Sequence, residues 1–547
     1  MSATKKQPTP TGEMPEKGRR AWVRSATGLA TGVVLVSATG ALAGASIVQN
    51  VDGATESFPV PAAAVPAGEY SAVCPEPLRL LEGTIDGGDP EFSPVSRTAA
   101  NRVSAMVLSD LGGVVPGSAL VPLAGGDPLA VLADAVPESE QAGPQVSNEE
   151  GLTNRVAAVS ADQTVDAASV LGAQAVGDQR ATAGAAFSYT ATDGDLAGLA
   201  VAGCQVPSND FWLVGAVTTV GAAAVLNLHN PTESPATVNL DLYGAKGAIE
   251  APAGRDILIA PGASKPVVVA ALAANEENVA IRVRSDGGRV SGFIQQSVLR
   301  GLTPGGVELI QASAPSASTQ VVPGIPIQDP DVMEELVSQE GYAGAAPSLQ
   351  VAVPGGTDAV LDVRVFGPNG EVELPGGGVV TAAAGAVTAI PLDSLPEGNY
   401  SAVVSSDVLV SASARAARGS EPEEPLDFAH IASAARLGSQ HVSVLPSGAG
   451  AAFVFSAPTG RAEVRLTPVN ADGVLGEERV YDVAGGTTVT VPAADLGKGT
   501  AAALIGVSGD PVYGSQLATL SGGPGISVAP IPPGGAGQQT VPVNLGY

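Results

Sequence analysis

The stretches ATVNLDLYGAKG (residues 236–247), AVLDVRVFGPNG (359–370) and AEVRLTPVNADG (462–473) are one pattern written three times. Each alternates apolar and polar side chains and closes on a Gly-containing turn, the period-two signature of a strand with one buried face. Two further landmarks follow each copy in the same order. The first is a strand–turn–strand with Gly262, Gly385 or Gly485 at its tip. The second is a turn at Ser285-Asp286, Ser406-Asp407 or Ser508-Gly509-Asp510, between apolar strands. The steps between landmarks are 15, 15 and 12 residues, then 24, 22 and 25. So ordered an agreement predicts three copies of one β-domain. The expected fold is all-β: tandem immunoglobulin-like β-sandwich repeats, their short strands set apart by Gly, Pro, Asn and Asp turns.

Working outward, repeat 1 is placed at 206–325, a linker and repeat 2 at 326–425, and repeat 3 at 426–522. A Pro/Gly-rich tail covers 523–547. Ahead of the repeats, 49–205 reads as a β-rich region with a polar, acidic stretch near 127–162. The first 24 residues carry Lys5, Lys6, Lys17, Arg19, Arg20 and Arg24, and residues 25–48 carry no charge. Twenty-four residues at helical rise reach about 36 Å, enough for a hydrocarbon core of about 30 Å. This predicts a cytoplasmic basic stub, a single transmembrane signal anchor at 25–48, and a bulk that lies outside the cell. The alternative is secretion after cleavage near Ala41-Leu42-Ala43.

The two cysteines, Cys74 and Cys204, both follow the anchor, and outside the cytoplasm such a pair most simply forms one structural disulfide. Closing a loop of that length stabilises a fold by up to about 5 kcal/mol. The chain carries 26 basic and 54 acidic residues. A surface so acidic repels nucleic acid and anionic lipid and keeps the protein soluble.

No catalytic constellation appears. His229, His430 and His441 are scattered, with no HxH or HExxH spacing, and His229 reads as a turn or cap residue. There is no GxSxG elbow and no phosphate loop. Lys246, Lys265 and Lys498, the lysines beyond the anchor, stand outside any SxxK setting. Asp86-Gly87-Gly88-Asp89 and Asp193-Gly194-Asp195 read as turns without full calcium-loop spacing. A glycosidase needs only two carboxylates, but aromatic residues for stacking sugars make up 3% of the chain. Trp212, close behind Cys204, is read as core. No catalytic, metal or cofactor-binding residue is therefore assigned, and no small-molecule substrate is evident.

The run CQVPSNDFWLVGAVTTVGAAAVLNLHNPTESPATVNLDLYGAKG, with RDILIAPGASKPVVVAAL, VSGFIQQS and TQVVPGIP after it, resembles the signature of an actinobacterial envelope-protein family, domain of unknown function 5719. The resemblance runs from about Cys74 to Leu520 and is densest between Cys204 and Pro326. It implies a membrane-anchored or secreted protein and no catalytic residues. It also implies an association with a membrane glycosyltransferase. The expectation is a non-catalytic, membrane-anchored scaffold or spacer of the cell envelope, with envelope proteins as partners. The alternatives are an accessory subunit for a membrane glycosyltransferase or envelope polysaccharide, and, last, a carboxylate-based glycan hydrolase.

Overall fold

The computed structural model describes residues 62–65, 68–80, 95–137, 155–176, 180–421, 424–534 and 539–542. The expected stub and anchor lie outside them. Among the described residues no helix is long and apolar enough to cross a membrane. Ala62–Val65 pairs with Gln539–Pro542 in a two-stranded sheet, and residues 66–539 form a separate compact unit.

That unit is all-β, and the segment 210–310 shows its plan. Eight strands run in order: Asp210–Ala216, Ala222–Asn230, Ala236–Gly244, Gly247–Ile249, Ala263–Val268, Val279–Gly287, Ser291–Arg300 and Thr303–Ile310. A ninth, short piece, Ile257–Ile259, pairs on the third. The first, sixth, third and fourth strands make one sheet; the fifth, second, seventh and eighth make the other. Between the two sheets lies an apolar core that includes Leu213, Leu226, Val238, Leu240, Ile281 and Ile294. The alternation read from the sequence is what builds it. Ala236, Val238, Leu240 and Leu242 point inward, and the residues between them lie nearer solvent.

The same eight-strand order recurs in 70–203, 317–432 and 441–530. The described residues therefore hold four modules, I to IV, and the region before repeat 1 is the fourth copy. In module III the sixth and seventh strands are one continuous strand, Gly398–Arg418, that serves both sheets.

Strand positions move the expected boundaries. Ala317–Ile327, placed across the end of repeat 1 and the start of the linker, is the first strand of module III and pairs along Gly398–Val410. Asp427–Ala432, placed at the start of repeat 3, closes module III, and Ile526–Pro530, placed in the tail, closes module IV. The physical reason is common to these last two. The closing strands are packed on both faces, so they lack the alternation that marks the others.

These closing strands organise the molecule. Gly198–Gly203 packs beside Thr303–Ile310, that strand beside Asp427–Ala432, that beside Ile526–Pro530, and the last returns to the first. The four modules thus close into a ring, with their eighth strands around its axis. Shared apolar clusters seal the seams. Met106 and Leu108 of module I meet Val442 and Val469 of module IV, and Trp212 and Val214 of module II meet Ala352 and Val387 of module III. The seams also carry hydrogen bonds, including Ser413 Oγ to Val214 O (2.9 Å) and Ser515 Oγ to Pro323 O (2.8 Å).

Candidate functional site

Each eighth strand is the inner edge of its sheet, so one row of its backbone N–H groups has no neighbouring strand to bond. Asp427 meets that need. Its Oδ2 accepts from Leu199 N (2.8 Å) and Ile526 N (3.1 Å), and its Oδ1 accepts from Val307 N (3.0 Å) and Phe428 N (3.0 Å). Those are the same position in four modules. The residue before it is Gly198, Gly306 and Gly525 in three modules and Asp427 itself in the fourth.

Two residues further along, a second carboxylate repeats the arrangement. Glu308 Oε1 accepts from Leu309 N (2.8 Å) and Ser527 Oγ (2.8 Å), and Oε2 accepts from His430 N (3.3 Å). Ser527 Oγ in turn accepts from Val201 N (2.8 Å). One step beyond, Gln311 Oε1 takes Gly203 N (2.9 Å), and Gln311 Nε2 donates to Val201 O (3.2 Å). The levels rise in the same order along every strand, so all four run in one direction. Burial outweighs the four N–H bonds and pushes the Asp427 carboxyl up to about 8. It also drives Glu308 well above the carboxylate range. These carboxylates bond the ring together and face no open cleft.

The open site lies where the chain leaves the inner strands. The segments that follow them, with Gly203, Gln311 and Pro530 at the base, enclose a pocket of about 550 Å³. Phe211, Trp212 and Phe293 supply aromatic surface. Arg282 lies over the Trp212 ring, 5.9 Å from its centroid, and is held bidentately by Asp210 at 2.9 and 2.5 Å. That carboxylate favours the charged guanidinium and raises its pKa. Ser433 Oγ, on a residue 1% exposed, has no hydrogen-bond partner and lines the same space. Apolar walls with a few fixed polar groups are the composition of a small-ligand site. Among the described residues nothing in the pocket pairs a nucleophile with a base.

Cys74 and Cys204 are joined, and Cys204 lies on the pocket wall. Trp212 is buried, in the apolar seam between modules II and III. The histidines are not brought together. His229 is buried beside Glu76, with Nε2 3.8 Å from Oε2. His441 donates from Nδ1 to Pro532 O (2.9 Å) and accepts from Gly438 N (2.7 Å), which fixes its tautomer. His430 lies in the seam of modules II and III.

Asp193 accepts from Thr98 N (3.1 Å) and Thr98 Oγ1 (2.7 Å), and with Ser96 these bonds lower its carboxyl to about 2; it fastens a turn. Residues 86–89 lie outside the described residues. Among the described residues no group of three or more His, Cys, Asp or Glu is placed to hold a metal ion. Sequence reading missed Asp427, Glu308, Gln311, Arg282 and Ser433. Aligning the four closing strands would have exposed the first, as an Asp where three copies carry Gly.

The geometry defines a ring of four β-sandwich modules with an axial pocket. The model of a family of unknown function, DUF5719, matches residues 159–494, and the chain belongs to that family. No curated protein and no solved structure matches it.

Proposed function

We propose that the protein is a non-catalytic binding scaffold of the cell envelope, held by a transmembrane anchor at 25–48 with its immunoglobulin-like sandwiches outside the cell. The axial pocket is the observation that carries this reading. A spacer gains from modules laid end to end, whereas here they close on one another and enclose a ligand-sized space instead. Trp212, Phe211 and Arg282, with Gln311 and Ser433, suit a neutral ligand that has apolar faces and polar edges, such as a sugar unit of an envelope glycan. The basic stub, the uncharged run and the disulfide support the placement outside the membrane. A glycan hydrolase draws little support, because the two axial carboxylates are already committed to backbone N–H groups.

The test is affinity capture of the tagged full-length protein from crosslinked native membranes, with mass spectrometry and glycan analysis of what comes with it. Wild-type protein should retain a glycan or a glycan-bearing partner, and Ser433→Met, which fills the pocket, should release it. A membrane glycosyltransferase in the eluate would specify an accessory subunit. Recovery of the protein alone would sink the binding reading and return the spacer.

A further inference from the structure

The seam between modules II and III opens into a second cleft, of about 870 Å³. Two arginines line it, Arg300 from the seventh strand of module II and Arg415 from the continuous strand of module III. In a chain with 54 acidic residues each could have been paired, yet among the described residues neither has a carboxylate within 4 Å. The Nε of each is buried without a hydrogen-bond partner. Glu277 and Asp393, the carboxylates of the cleft, are on exposed residues.

Arg300 is held in place from both modules. Its guanidinium donates to Gly305 O (3.2 Å) and lies over the Tyr342 ring, 4.9 Å from the centroid. Tyr342 belongs to a stretch between the first and second strands of module III that carries the helix Pro330–Val337. Modules II and IV join those strands by short turns, so this insertion builds a wall of the cleft. Arg415 pairs across the sheet with His430, a residue 3% exposed whose ring has both nitrogens unpartnered and also lines the cleft. Burial lowers the Arg415 guanidinium to about 10, the Arg300 charge adds to the fall, and Glu277, farther than 4 Å away, offsets only part of it. The same burial, with Arg415 beside it, lowers His430 to about 3, so its ring is neutral and offers one N–H.

Two desolvated guanidiniums facing one cleft repel each other and lack the anion that would offset both costs. Guanidinium N–H groups in a fixed fork match the oxygens of phosphate and carboxylate. We infer that the cleft between modules II and III is a binding site for an oxyanion, a phosphoryl or carboxylate group on a small molecule or at the end of a polymer, clamped by Arg300 and Arg415 with His430 as a neutral donor. This site is separate from the axial pocket and does not depend on what fills it.

The experiment is isothermal titration of the full-length protein with sodium phosphate, sodium pyrophosphate or sodium glucuronate, against sodium chloride at matched ionic strength. A saturable heat and a raised unfolding temperature are expected with an oxyanion and not with chloride. Response to the phosphates alone would identify a phosphoryl source, and response to glucuronate alone a carboxylated sugar. Arg415→Gln and Arg300→Gln should each weaken binding at least about tenfold, while Arg364→Gln, at a half-exposed arginine that pairs with Glu371 away from both pockets, leaves it unchanged. Thermal unfolding without ligand shows whether each variant is folded. No saturable heat at millimolar anion, or equal affinity in wild type and Arg415→Gln, would overturn the assignment.

Discussion

The ring axis and the cleft between modules II and III both bury ionisable side chains, and they treat them in opposite ways. On the axis, Asp427 meets four backbone N–H groups and Glu308 meets two more and a hydroxyl. In the cleft, Arg300 and Arg415 keep buried Nε groups with no partner. A buried ionisable group whose bonding is complete serves the fold; the pair whose bonding is incomplete is the one assigned to a ligand. The contrast can be broken by experiment, and the largest effect belongs to the axis. Asp427→Ala strands four donors from four modules, each worth about 1–3 kcal/mol when left unsatisfied. Urea unfolding should show a loss of at least about 4 kcal/mol, with new proteolytic cutting between modules. A loss under about 1 kcal/mol would mean that Asp427 does not hold the ring.

How much of this was legible follows from how each strand is packed. The strands with one solvent-side face, such as Ala359–Gly367 and Ala462–Asn470, kept their alternation and gave away three of the four modules. Module I stayed hidden because two long polar stretches, near 81–94 and 138–154, separate its strands and spoil the spacing between landmarks. The eighth strands went unread because packing on both faces leaves small and apolar residues without a period. Asp427 falls at the start of repeat 3, directly behind the acidic run at 421–424, and nothing in the sequence around it marks the residue as buried, although it is fully so. Arg300 and Arg415 come together only when two modules meet, so no spacing in the sequence announces them.

A smaller effect is expected from the glycines around the axial carboxylate. Gly306 has φ +100° and a Cβ there would run into Asp427, and Gly198, at φ +150°, faces the same carboxylate at 2.9 Å. Gly306→Ala should cost about 2–4 kcal/mol, from the strained backbone together with the clash. Gly301→Ala is the control: φ is +63° and nothing lies within 4 Å of the added carbon, so about 1 kcal/mol is expected. Equal losses in chemical denaturation would show that backbone conformation alone matters and that the crowding around Asp427 does not.

The dependence of stability on pH sharpens the contrast further, because the two regions titrate in opposite senses. Asp427 is raised from 3.8 to about 8, so between those values the unfolded chain is ionised while the folded one keeps its proton. Its contribution is complete below pH 4 and is lost as pH rises toward 8. His430 is lowered from 6.5 to about 3, so its contribution is complete above pH 6.5 and is lost as pH falls toward 3. Unfolding midpoints measured from pH 3 to 9 should therefore rise and then fall. Asp427→Asn should make the alkaline limb shallower, leaving the part that Glu308 contributes in the same sense, and His430→Gln should flatten the acid limb. A wild-type profile that kept rising from pH 4 to pH 8 would contradict the Asp427 assignment.

The smallest effect, and the most discriminating, is expected of Arg415→Gln in the absence of any oxyanion. The general rule is that a deeper side chain costs more to remove, and it should fail here. Arg415 forms no ion pair and sits against the charge of Arg300, so removing it relieves both repulsion and desolvation. Arg364, by contrast, is half-exposed and grips Glu371 bidentately at 2.8 and 2.5 Å. An exposed pair of that kind is worth about 0.5 kcal/mol, which Arg364→Ala should lose. Arg415→Gln should lose nothing and can gain up to about 1 kcal/mol, comparable to relieving one unfavourable buried polar contact. If equilibrium unfolding instead shows a loss above about 2 kcal/mol, Arg415 is bonded into the seam as firmly as Asp427 is into the axis. Its open Nε would then be a feature of the fold, with no ligand implied.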